Sequence, residues 1–126
     1  MTKARPGSAV AVLGASPKED RYSFKAVRML REHGHTPIPV HPKGHTVDGV
    51  PGVTSLSAIE QAVDTLTVYV NDKISSAEFD NIRKLGPRRV VFNPGAENPE
   101  LAQRLRDEGL EVVEACTLVM LRTDQF

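Results

Sequence analysis

The sequence predicts an α/β domain of three layers, a mainly parallel sheet of about five strands held between helices on both faces. Three observations predict it. Short apolar runs rich in Val, Ile and Leu alternate with amphipathic stretches along the whole chain, and most junctions carry Gly, Pro or a helix-capping residue. The segments between successive strands contain helices of about ten residues, the crossover that a parallel pair requires and a hairpin does not.

The first strand covers residues 8–13 and runs into Gly14-Ala15-Ser16. After a polar turn, residues 17–22, a helix is expected over 23–33, with Phe24, Val27 and Leu30 on the face turned to the sheet and Gly34 at its end. Residues 35–40 form the second strand. Pro37 and Pro39 supply no N–H to a ladder, which places this strand at or near an edge. A loop with Gly44, Gly49, Pro51 and Gly52 leads to a short helix over 56–62. The third strand spans 64–70, with Leu66, Val68 and Val70 on one side and Tyr69 on the other. Ser75 and Glu78 read as a capping box opening a helix over 75–85, whose buried stripe is Phe79, Ile82 and Leu85 and which Gly86-Pro87 stops. A fourth strand follows at 89–92. Asn98-Pro99 caps a helix with Leu101, Ala102 and Leu105 facing inward, Gly109 ends it, and residues 110–113 close the series. This is the pattern of a Rossmann-like fold, with residues 1–126 as a single domain.

Composition narrows the classes of partner. Sixteen basic and sixteen acidic side chains give a formal net charge of zero, so no global field favours nucleic acid or an anionic membrane, and any anion site has to be local. The apolar runs are far shorter than the roughly 20 residues that span a bilayer. No leader pattern is visible in residues 1–8, and a soluble, cytoplasmic protein is the expectation. The single cysteine, Cys116, excludes an internal disulfide framework and a multi-cysteine metal site.

In such a fold ligands bind outside the carboxyl ends of the strands, where strand order reverses. Gly14 permits a tight turn or a close backbone approach, Ala15 and Ser16 bring N–H donors, and Ser16 adds a hydroxyl. The full G-x-G-x-x-G fingerprint is absent, since Ser16 and Glu19 stand at its second and third glycine positions, and a strand-ending glycine is also an ordinary turn. Lys18 and Lys25 read as solvated charges; Arg21, just before the helix, is the better phosphate partner because a guanidinium donates two parallel hydrogen bonds. Lys43 ends the second strand region where an NAD site ordinarily has a carboxylate, so a ribose bearing an extra phosphate, as in NADP or coenzyme A, suits it better, although a solvated lysine in a proline-glycine turn fits the local pattern nearly as well. His33, His35, His41 and His45 cluster in sequence, but their spacing argues against a metal site. Cys116 lacks an obvious base and reads as packing. Glu97 lies on the ligand edge, as a candidate base or a capping residue with Asn98.

The series V-A-V-L-G-A-S, D-R-Y-S, I-P-V-H-P-K-G, D-G-V-P, N-P-G-A-E-N and C-T-L-V-M-L, in that order over almost the whole chain, resembles the small bacterial CoA-binding protein family. It is similar, too, to the CoA-binding domain of the succinyl-CoA synthetase alpha subunit. The resemblance implies coenzyme A lying across the strand ends. Gly14, Ala15 and Ser16 would approach the pyrophosphate, with Arg21 and Ser23 in the same phosphate loop. His41, Pro42 and Lys43 would flank the adenosine, and Val70 and Asn71 would line the opposite wall. One departure is His41, where many relatives have asparagine. The synthetase-like relative carries its phosphorylated histidine in a second domain that these residues do not contain, so no catalytic residue is assigned. The expected function is binding of CoA or an acyl-CoA by a carrier, sensor or accessory module, with a homo-oligomer or a partner enzyme left open. The alternatives are an NADP-dependent oxidoreductase and a Rossmann-like interaction module without a ligand.

Overall fold

A computed structural model describes residues 3–126. Five strands, β1 (Ala9–Leu13), β2 (Thr36–Val40), β3 (Thr65–Val68), β4 (Arg89–Phe92) and β5 (Glu111–Glu114), form one sheet in the order β2-β1-β3-β4-β5, every pair parallel. The pairings Leu13 with Val40, Leu13 with Val68, Val68 with Phe92 and Phe92 with Glu114 bring all the carboxyl ends level along one edge. The chain runs outward from β1 to β2, then returns to the other side of β1 for β3. Strand order therefore reverses at β1, and the Rossmann-like reading holds.

β2 is an edge strand, as its prolines require. Thr36 N–H donates to Ser8 O, and Val40 O accepts from Gly14 N–H; by the alternation of a parallel ladder, Pro37 and Pro39 face away from β1. Their missing N–H groups thus fall on the open edge, half of which is covered by the returning loop: Val53 N–H donates to Pro39 O and His41 N–H to Val53 O.

Alternate residues of the sheet feed two cores. Leu13, Val40, Leu66, Val68 and Phe92 pack beneath α3 (Phe79–Leu85), α4 (Pro99–Asp107) and a single 3₁₀ turn, Leu56–Ala58. Val10, Val12 and Val91 pack on the other face beneath α1 (Tyr22–Glu32) and α5 (Thr117–Arg122). Tyr69 joins this second core and Val70 the first, the opposed sides that alternation predicts.

Two expectations change. The helix over 56–62 reduces to that one turn, because Ile59 is already extended. The capping box does not form. Instead α2 (Asp72–Ser76) starts earlier, with Asn71 Oδ1 accepting from Ile74 N–H, while Ser75 sits inside it, its hydroxyl donating to Asp72 O and accepting from Asn98 Nδ2; Glu78 takes the Asn81 amide. The apolar segment at 116–121 falls mostly within α5, with Cys116 as its N-cap, and its Leu118, Met120 and Leu121 are buried in the chain's own core. Among the described residues, no helix is long and apolar enough to cross a membrane.

Candidate functional site

The β1–α1 turn is built around Gly14. Its φ is +87°, and a Cβ there would lie 2.7 Å from Val70 Cγ1 and 3.3 Å from the Tyr69 carbonyl carbon, so the glycine is required by both conformation and close approach. Val40 O accepts both Gly14 N–H (2.9 Å) and Ala15 N–H (3.2 Å), and Ser16 N–H donates to Ser23 Oγ (3.0 Å). This corrects the sequence reading: the Ala15 and Ser16 amides are already engaged. The open donors lie one step further on, at the start of α1. Arg21 is its N-cap without a side-chain cap, no acidic residue occupies the first turn, and the first carbonyl bond runs only from Lys25 N–H to Arg21 O.

Two cavities flank this turn. The smaller, about 200 Å³, opens on the β2 side and is lined by Gly14, His41, Pro42, Leu56, Val70 and Ile74, with Thr54, Ser55 and Glu78 at its walls. The larger, about 320 Å³, opens on the α1–α5 side and is lined by Tyr22, Lys25, Tyr69, Asn93, Cys116 and Val119. Gly14 and the Tyr69-Val70 pair form the ridge between them. Among the described residues, Tyr22, Ile74 and Val119 are the large apolar side chains left exposed, and all three stand on the cavity rims.

Asn93, Thr67 and Thr117 form a buried polar network that fixes the floor of the larger cavity. Asn93 Nδ2 donates to Thr67 Oγ1 (2.7 Å) and Val68 O (3.0 Å), Asn93 Oδ1 accepts Thr117 N–H (2.8 Å), and the two threonine hydroxyls bond each other (2.8 Å). The network ties β3 and β4 to the first residue of α5, directly after half-buried Cys116. The Tyr69 hydroxyl is enclosed without a hydrogen bond of good geometry. Burial pushes its pKa up to about 12, outweighing the opposite influence of the nearby Thr117 and Thr67 hydroxyls.

At the end of β2, Lys43 N–H donates to His41 Nδ1 (3.1 Å), so neutral His41 carries its proton on Nε2. Burial, then the charges of His45 and Lys43, hold the His41 pKa below its ordinary value. The structure thus brings Gly14, His41, Pro42 and Val70 to one cavity. Ala15 is buried behind the turn, Ser23 acts within it, and Arg21, Lys43 and Asn71 are exposed around it, with Arg21 Nε 3.9 Å from the Asp20 carboxylate and the Asn71 oxygen engaged in capping α2. Glu97 turns back to accept Gly95 N–H, whereas Asn98 caps α4 through Leu101 N–H; only the second matches the capping expectation. Among the described residues no three His, Cys, Asp or Glu side chains converge as metal ligands. Residue reading missed Tyr22, Tyr69, Thr54, Ser55 and Ile74 as cavity walls. Only Tyr69 left a signal, its place opposite Val70 at a strand end.

The profile of a family described as a CoA binding domain matches residues 8–122. The chain belongs to that family. It is 26% identical over 104 residues to the uncharacterized protein YneT of Bacillus subtilis (strain 168), covering 82% of this chain and 77% of that one. A crystal structure of an uncharacterized protein superposes with a TM-score of 0.90 at 41% identity, over 97% of this chain and 100% of the other. The dinucleotide forming acetyl-coenzyme A synthetase 1 of Ca. Korarchaeum cryptofilum, solved with phosphate and ADP, has a TM-score of 0.73 at 23% identity, over 87% of this chain and 26% of its own; that likeness is one of fold.

Proposed function

We propose that this CoA-binding family member holds CoA or an acyl-CoA across the carboxyl ends of β1, β2 and β3, as a carrier, sensor or accessory module. The observation that carries the reading is the pair of cavities beside the β1–α1 turn, with the uncapped start of α1 on the wall of the larger one. Adenosine goes to the smaller cavity, between the His41-Pro42 and Val70-Ile74 walls. The pyrophosphate passes over the Gly14-Ala15-Ser16 turn to the first-turn N–H groups of α1, where the helix dipole favours an anion. Arg21 closes over it, exchanging its long contact to Asp20 for a phosphate. The pantetheine arm then enters the larger cavity, beside Tyr69 and Cys116, whose volume falls within the range of about 300–1,000 Å³ common for small-ligand sites.

Titration calorimetry with CoA, NADP and NAD tests the proposal. Binding of CoA at micromolar concentration, with NADP and NAD markedly weaker, supports it. Tight NADP binding without CoA binding would favour an oxidoreductase, and no binding of any of them would leave an interaction module.

A further inference from the structure

His41, on the wall of the smaller cavity, faces His45, their ring centroids 4.5 Å apart and their planes tilted by 39°. The loop that carries them is fixed. Gly44 N–H donates to His41 O, His41 N–H to Val53 O, and a side chain on Gly52 would run into the His45 carbonyl oxygen. Together with Lys43, the pair gathers three groups able to carry positive charge within five residues of chain.

The surrounding acids do not answer them. Asp48, next along the loop, is bound by Arg28 and Arg31 of α1, and these guanidinium groups hold its carboxyl below the ordinary carboxylate range. Glu78, on the wall supplied by the β3–α3 connection, accepts from Asn81. Thr54, Ser55 and Leu56 face His41 from the segment after the loop and carry no charge. Neither Lys43 nor His45 is ion-paired with any described residue.

We infer that the His41–His45 pair, with Lys43, is a phosphomonoester subsite that takes the 3′-phosphate of bound CoA together with one proton from solvent. The inference rests on the CoA reading above and adds to it a residue, His45, and a proton. The two imidazoles have different parts. His41 Nδ1 already accepts the Lys43 N–H, so protonating it would expel that bond; His41 stays neutral and donates through Nε2–H. The proton goes to His45, which becomes the second cation beside Lys43 when the phosphate dianion arrives.

The test compares CoA with dephospho-CoA by calorimetry at about pH 8 and about pH 6.5, the latter kept above the second phosphate pKa of about 6, in two buffers of different ionisation enthalpy. The expected result is that the preference for CoA grows by about fivefold on going to the lower pH, a fraction of the tenfold per pH unit that one fully linked proton would give. Proton uptake should accompany CoA and not dephospho-CoA. His45→Gln should flatten the pH dependence, while His41→Asn, whose amide still donates, should keep it. A CoA preference that does not change with pH, or equal binding of the two ligands, would overturn the inference and leave the CoA reading standing. Failure of both ligands to bind at either pH would overturn both. The wild-type series decides the matter without any variant having to fold.

Discussion

Replacing Asn93 by Ala removes three hydrogen bonds from the floor of the larger cavity, but the three losses are unequal. Thr67 and Thr117 keep each other through their hydroxyls, and Val68 O keeps the backbone N–H of residue 93 at 3.3 Å. Thr117 N–H, at the first residue of α5, loses its only acceptor described in the structure. One buried unsatisfied donor costs about 1–3 kcal/mol, and each of the other two bonds contributes about 0.5–1.5 kcal/mol net, so the expected loss is about 2–6 kcal/mol. Water admitted from the adjoining cavity brings it toward the lower end. Urea denaturation of the wild type and Asn93→Ala measures the difference, and hydrogen exchange at Met120 N–H, which bonds Cys116 O, reports whether α5 has loosened. A loss below about 1 kcal/mol with unchanged exchange at Met120 would refute the role given to Asn93.

Other consequences are as direct. Gly14→Ala forces a side chain into a φ of +87° and against Val70 Cγ1; about 1–2 kcal/mol for the conformation and about 1–3 kcal/mol for the overlap predict a loss of about 2–5 kcal/mol in denaturant, with weakened CoA binding. Burial holds both His35 and His41 below their ordinary value of 6.5, with neighbouring positive charge adding to it. Their folded pKa lies below the unfolded one, so the stability they contribute is present above pH 6.5 and is lost as pH falls through the folded values; the urea midpoint should drop from pH 7.5 to 5.5, and an unchanged midpoint would contradict this. Tyr22→Phe leaves Tyr69 as the one tyrosine, and its ultraviolet titration should centre near pH 12, against about 10 for an ordinary phenol; a midpoint near 10 in the folded protein would show that the hydroxyl is not enclosed.

The elements that announced themselves in the sequence are those whose local chemistry and tertiary role agree. Pro37 and Pro39 could only lie on an open edge, and Asn98-Pro99 both caps α4 and starts it. Ser75 and Glu78 misled because tertiary contact overrode local pattern: Asn98 arrives from 23 residues away and takes the serine hydroxyl that would have capped a helix. The phosphate turn shows the same limit. Glycine at position 14 was legible, but that Val40 O and Ser23 Oγ already hold the amides of Ala15 and Ser16 depends on β2 and α1 docking beside the turn, and this moved the open donors to the start of α1. Likewise, Thr54 and Ser55 become cavity walls only because Val53 pairs with the end of β2. His41 and His45 stood close in sequence, yet their ring contact required the loop to close over Gly52.

The most direct test of the central claim is an amide chemical-shift map of the ¹⁵N-labelled protein titrated with CoA. The account predicts shifts at Gly14, Tyr22 to Phe24, His41 to His45, Val70 to Ile74 and Cys116 to Val119, all on the carboxyl edge, while Thr36, Arg88 and Glu111 at the amino edge stay in place. Shifts centred on the amino edge, or none at saturating CoA, would contradict it.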